Sequence, residues 1–89
     1  MLPINKSHTT PEFEEKFLAL LPQLKKIATR KIILFENNPI HSSLNTHKLS
    51  GWLQGFWSFY INRSYCVLFR FIKNNEVIYY DIDTHNIYK

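Results

Sequence analysis

The residues of this chain able to move protons near neutral pH are His8, His41, His47 and His85, since an unperturbed imidazole titrates near pH 6.5. Their spacing fits no metal-ligand pattern and no acidic cluster accompanies them, so neither a metal nor a cofactor is expected. Cys66 is the one thiol. Nothing in the sequence sets a base beside it, and a small apolar filler is the plainer reading. The chain has no glycine-rich phosphate loop and no hydrolase elbow. What remains is metal-free acid–base chemistry, or binding without chemistry. His47 has the richest setting: Leu44 to Ile61 holds both glycines, both tryptophans and the His47-Lys48 pair. That mixture of backbone turns, apolar surface and titratable groups suggests a site.

Such groups need elements to hold them, and hydrophobic spacing indicates which. Thr10-Pro11-Glu12 is a helix start: a hydroxyl to cap free amides, proline at the first helical position, an acid near the positive end of the dipole. Phe13, Phe17, Leu20, Leu21, Leu24, Ile27 and Ala28 then recur at spacings of three and four, which puts them on one stripe. Pro22 would cost about 3 kcal/mol inside a helix. Two helices meeting near Leu21-Pro22 are therefore expected. The second should run to about Phe35 and close at Asn37-Asn38-Pro39, with an asparagine in the left-handed conformation. Lys25, Lys26, Arg30 and Lys31 ride on it, either as a solvated face or as a contact surface for RNA or an acidic partner. Leu2 to Ile4 reads as a short edge strand, where Pro3 is tolerated.

Beyond Ser42-Ser43 the period drops to two, as in strands. Trp57, Phe59 and Ile61 alternate with Ser58 and Tyr60; Tyr65, Val67, Phe69 and Phe71 with Cys66, Leu68, Arg70 and Ile72; Ile78, Tyr80 and Ile82 with Tyr79, Asp81 and Asp83. A tight turn at Asn74-Asn75 would set Phe71 opposite Ile78, Phe69 opposite Tyr80 and Val67 opposite Ile82. A three-residue loop at Asn62-Arg63-Ser64 would set Ile61 opposite Tyr65, Phe59 opposite Val67 and Trp57 opposite Phe69. This register puts the apolar set on one face, beneath the helices. The other face then carries Ser58, Tyr60, Cys66, Leu68, Arg70, Tyr79, Asp81, Asp83 and His85, and is expected to be exposed or covered by a partner.

Composition bounds the rest. Eighty-nine residues make a single domain, 1–89, and 45% hydrophobic residues suffice for a folded core. A formal charge of +4 favours acidic partners such as nucleic acid or an acidic protein. One cysteine suits a reducing cytosol. No apolar run reaches the roughly 20 residues of a membrane span, and no signal-peptide hydrophobic region follows Lys6. A soluble cytoplasmic protein without membrane contact is expected.

Taken in order, Asn38-Pro39, Leu44, Thr46-His47-Lys48-Leu49-Ser50-Gly51, Gly55, Trp57-Ser58-Phe59, Tyr65 to Phe69, and Asp81-Ile82-Asp83-Thr84-His85 to Tyr88-Lys89 resemble the RelE/ParE superfamily of type II toxins. The resemblance covers almost the whole chain. It implies an α+β fold, β-α-α-β-β-β, with two N-terminal helices on one face of a small antiparallel sheet. It also implies either of two activities: RelE-type members enter the ribosome and cut mRNA, whereas ParE-type members poison DNA gyrase, so fold alone does not decide. A co-encoded antitoxin is the implied protein partner, with ribosome and mRNA as the others.

Carried over by position, His47 and Lys48 fall in the family's His-Lys-Leu segment, and His85 and Tyr88 in its terminal Thr-His followed by an aromatic residue. Tyr60 stands where some ribonuclease members carry a histidine or a basic residue. Cys66 replaces the family's arginine in Tyr-Arg-Val, and Asp83 and Asn86 depart from Ile-Gly-Thr-His-Asp. Cutting RNA without a metal requires a base for the 2′-OH, an acid for the leaving 5′-oxygen and a cation for the phosphorane-like charge. His47 and His85 suit the proton transfers, with Tyr88 beside them. Arg70, on the Cys66 face, is the candidate cation, the other reading being an ion pair with Asp81 or Asp83. Lys48, Arg63 and Lys89 are candidates for backbone phosphate. Tyr60 and Tyr79, with Tyr88, could stack on splayed bases or fill space beneath an antitoxin segment. The expected activity is a ribosome-dependent mRNA endonuclease; the alternatives are a weakened toxin that still binds antitoxin, and a gyrase inhibitor. On this reading Cys66→Arg should preserve or raise activity.

Overall fold

A computed structural model describes residues 2–85. Strand β1 (Lys6–Thr9) leads into helices α1 (Pro11–Leu18) and α2 (Pro22–Asn37), followed by strands β2 (His47–Lys48), β3 (Trp57–Tyr60), β4 (Tyr65–Ile72) and β5 (Glu76–Thr84). The five strands form one sheet in the order β1-β5-β4-β3-β2. β2 to β5 are antiparallel neighbours, and β1 alone runs parallel, to β5.

The helices start where proline allows. The Thr10 hydroxyl accepts the Phe13 amide at 3.1 Å, and Pro11 and Pro22 each open a helix, where a missing N–H costs nothing. Phe13, Ala28 and Phe35 are buried, with Phe17, Leu20, Leu24 and Ile27 packed around them. Leu21, expected on that stripe, is 76% exposed because it caps α2 in an extended conformation. Asn38 ends α2 with φ −150°, not left-handed as expected; a residue before proline is pushed out of the helical region, and Pro39 follows. The first strand also differs from expectation. It starts at Lys6, and the apolar segment before it instead ties to α2, the Ile4 amide donating to the Glu36 carbonyl at 2.7 Å. Lys-Ser-His-Thr has no apolar alternation, so only backbone pairing with β5 marks it as a strand.

Asn74 and Asn75 turn at φ 64° and 58°, the two positive values of a tight hairpin. The β3–β4 register is as expected, with Trp57 opposite Phe69 and Phe59 opposite Val67. Between β4 and β5 the expected register holds only at the far end, where Val67 faces Ile82. A bulge intervenes: Leu68 pairs with Asp81 and Phe69 with Tyr79, leaving Tyr80 as the extra residue. Phe71 consequently faces Val77, not Ile78. One inserted residue inverts side-chain parity over the first half of β5, so Val77 and Tyr79 turn inward.

The core is a cluster of rings beneath the helices. Phe35 stacks on Phe59 at 4.3 Å and meets Phe69 edge-on at 4.7 Å, while Tyr79 stacks against Phe13 at 5.3 Å. No helix among the described residues is long and apolar enough to cross a membrane.

Candidate active site

His47 reaches the sheet's second face through β2. The preceding turn, Ser42–Leu44, ends in Asn45 at φ 48°, a left-handed conformation asparagine tolerates. His47 Nδ1 lies 2.6 Å from the Asn45 carbonyl. A carbonyl only accepts, so Nδ1 carries the hydrogen and the neutral ring's lone pair is on Nε2. Strand alternation sends Lys48 the other way: it pairs with Trp57, and its ammonium lies 5.8 Å from that ring.

Three strands away, His85 follows β5. Its Nε2 donates to the Arg63 carbonyl at 2.8 Å, which fixes the opposite tautomer from that of His47. The loop that presents this carbonyl is itself locked, since Asn62 Oδ1 accepts the amides of Ser64 at 2.8 Å and Tyr65 at 2.7 Å. Between the histidines stands Tyr60, edge-on to both, with ring centroids 5.9 Å from His47 and 4.9 Å from His85. Both imidazoles therefore border one phenol. A cavity of about 410 Å³ opens beside Tyr60 and His85, with Lys31, Ser43, Asn62 and Arg63 on its walls.

The structure thus brings His47, Tyr60, Arg63 and His85 together. Besides Lys48, two expected contributors are elsewhere. Tyr79 is not on this face: the bulge turns it under the helices, where it is 2% exposed and its hydroxyl donates to Glu36 Oε2 at 2.5 Å. Burial, and then the Glu36 carboxylate, push its ionisation far above the usual phenol range, and no base can reach it to stack. Arg70 lies four residues along β4 from Cys66, about 13 Å at strand rise, and its guanidinium sits 5.3 Å from the Phe56 ring. It makes no ion pair with Asp81 or Asp83, because Lys16 of α1 takes both carboxylates at 2.8 Å. Tyr88 and Lys89 lie outside the described residues.

Nor is the second face open throughout. Ser58 and Cys66 are completely buried and Leu68 nearly so, and Leu53, from a turn over Gly51–Leu53, is buried with them. Gly51 and Gly55 make the reversals at φ 66° and 95°. At Gly55 a side chain would also stand against the Arg70 guanidinium, 3.6 Å from Nη2.

From the sequence, Lys31 belongs to a basic row on α2 that is either solvated or a contact surface for RNA or an acidic partner, and Asn62 to a loop without a task. A signal existed for each. Lys31 is three residues after buried Ala28 and four before buried Phe35, a lysine in the apolar stripe. Asn62 precedes Ser64 by two, the spacing of an Asx turn.

No protein-family model matches the chain, and no curated protein matches it by sequence. Solved structures do match its fold. The RelBE2 toxin–antitoxin complex from Mycobacterium tuberculosis aligns at TM-score 0.77 and 17% identity, over 96% of this chain and 94% of that one. A YoeB/ParE toxin from Agrobacterium tumefaciens aligns at 0.75 and 14%, over 90% and 98%. The YoeB–YefM complex from Staphylococcus aureus aligns at 0.73 and 16%, over 92% and 97%. The chain has the RelE/ParE-like α+β fold of type II toxins, two helices on a five-stranded, mostly antiparallel sheet.

Proposed function

We propose that this chain is the toxin of a type II toxin–antitoxin pair, acting in the cytoplasm as a metal-free, ribosome-dependent mRNA endonuclease that inhibits translation. The observation carrying this reading is the His47–Tyr60–His85 row beside a cation-bearing cavity, on a fold shared with RelE- and YoeB-type toxins. The two rings are held in opposite tautomers, which suits one base and one acid on either side of a phosphodiester. His47, with its Nδ1 hydrogen on the Asn45 carbonyl, would act as the base toward the 2′-OH through Nε2. His85, with its Nε2 hydrogen on the Arg63 carbonyl, would act as the acid toward the leaving 5′-oxygen through Nδ1. Tyr60 between them supplies a ring against which a base can pack. A cognate antitoxin is the proposed protein partner, supported by relatives solved as toxin–antitoxin complexes.

A second reading has one observation in its favour. Cys66, where the resemblance expects an arginine, is completely buried, which fits a toxin that binds antitoxin but cuts poorly. Inducing the chain in a bacterial host beside His85→Ala, with mapping of mRNA 5′ ends on translated and untranslated messages, separates these readings. Cuts confined to translated codons should appear with the wild-type chain and fall by about 10²–10⁴ in rate in the variant, the usual contribution of a general acid or base. Growth arrest with intact mRNA and broken DNA would replace the nuclease reading with gyrase poisoning; intact mRNA and DNA would leave the antitoxin-binding module.

A further inference from the structure

We propose that the cavity between α2 and the β3–β4 loop is a nucleotide phosphate site, with Lys31 and Arg63 as its two cations. The proposal rests on the endonuclease reading for its substrate class and on the cavity for everything else. Its walls carry two cations, the imidazole of His85, the phenol of Tyr60 and the amide of Asn62, and no carboxylate among the described lining residues. Asn62 Oδ1 already accepts two backbone amides, so the group it has left to offer is its NH₂, a donor. Ser43 contributes less, because its hydroxyl bonds His41 Nδ1 at 2.9 Å. A wall of donors and cations selects an anion with several oxygens, and an aromatic ring beside it selects a nucleoside attached to that anion.

The other cavities bordering the sheet are unsuitable. One contains Glu12 and Asp81, the other Asp83, and both contain Lys16, whose charge those aspartates take. Lys25, Lys26 and Arg30 line a separate groove along α2, which contains no histidine. Lys31 is turned about 100° from Arg30 around the helix, which carries it off that groove and toward Tyr60. Phosphoryl chemistry needs a cation at the developing charge. With Arg70 over Phe56, Lys31 and Arg63 are, among the described residues, the cations that line the cavity with His85.

The test titrates the purified full-length chain, without ribosomes, with adenosine 3′-monophosphate and with adenosine, following binding by calorimetry and by NMR of the histidine rings. The nucleotide should bind, shift the His85 resonances and lose about tenfold in affinity in Lys31→Gln and in Arg63→Gln, with Lys31→Arg restoring it and Lys25→Gln unchanged. Adenosine should not compete. Equal affinity in Lys31→Gln, or equal loss in Lys25→Gln, would overturn the site in favour of diffuse attraction to a basic surface. The same variants are then scored for mRNA cleavage. Nucleotide binding as expected with uncut mRNA leaves the site standing and removes the nuclease reading. Cut mRNA with nucleotide affinity insensitive to Lys31 does the reverse.

Discussion

The two ends of the sheet's second face differ in what happens to their charges. At the Phe56 end the loop through Gly51–Leu53 folds over the strands, Arg70 lies against Phe56, and Lys16 takes Asp81 and reaches on to Asp83 in the row of Tyr60. At the His85 end Lys31 and Arg63 border a cavity whose described walls hold no acid. Both ends carry cations; what differs is whether a carboxylate or a ring holds them. A cation held by a carboxylate or a ring stabilises the fold, whereas one facing a cavity is available to a ligand.

The sharpest way to break that contrast is to put a charge between the ends. Cys66, in the row with Tyr60 and Asp83, is completely buried, so Cys66→Arg should cost about 3–5 kcal/mol as an uncompensated buried charge. Denaturant unfolding measures it, separately from the expectation from resemblance that Cys66→Arg preserves or raises activity. An unchanged midpoint would mean that the side chain finds an outlet.

Next in size is a contrast of tyrosines. Tyr79→Phe removes the donor to Glu36 in the core and should lower stability by about 1–3 kcal/mol. Tyr60→Phe, at a half-buried position, should stay within about 0.5 kcal/mol. Thermal melts of both variants decide it. The raised ionisation of Tyr79 has a pH consequence of definite sign. Its folded value lies above the unfolded one, so its contribution is whole below about pH 10 and is lost as pH rises above that, an alkaline instability that Tyr79→Phe should reduce.

The Lys16 cluster behaves in the opposite direction at acid pH. The hydrogen bond from Lys16, and then the Thr84 amide, hold the Asp83 carboxyl below its ordinary range. Burial acts to lower the Lys16 ionisation, and the bonds to Asp81 and Asp83 outweigh it. A depressed carboxyl stabilises above its unfolded value, about 3.9, and that part is lost as pH falls through the folded value. Melts from pH 6 to lower values should show a shallower acid decline in Lys16→Gln; an identical decline would remove the cluster as its source.

Apart from the Tyr60→Phe control, the smallest effect is expected at Arg70. Arg70→Gln should cost about 0.5–1 kcal/mol, the worth of an exposed cation over a ring, and leave cleavage by the folded protein unchanged. A large loss of cleavage would return Arg70 to the reaction and erase the contrast between the ends.

Much of this was legible in the chain itself. Helix starts at Pro11 and Pro22, the turn at Asn74-Asn75 and the β3–β4 register follow from local rules that act within a few residues: proline's missing N–H, asparagine's tolerance of positive φ, and alternation over an unbroken strand. The association of His47 with Tyr60 and His85 was half legible, since parity put Tyr60 and His85 on one face, and pairing of β2 with β3 added His47. Only the tertiary structure decided the fate of Tyr79. A bulge leaves no mark in a period-two pattern, because Tyr79 and Tyr80 are both aromatic and either can face a core. Packing chose between them: the phenol that reaches Glu36 and stacks on Phe13 is Tyr79, and Tyr80 turns to Phe56. Lys31 was decided in the same way. Its place on the stripe is written in the sequence, but that the stripe ends over a cavity rather than a core depends on how far β3 and its loop extend beneath α2.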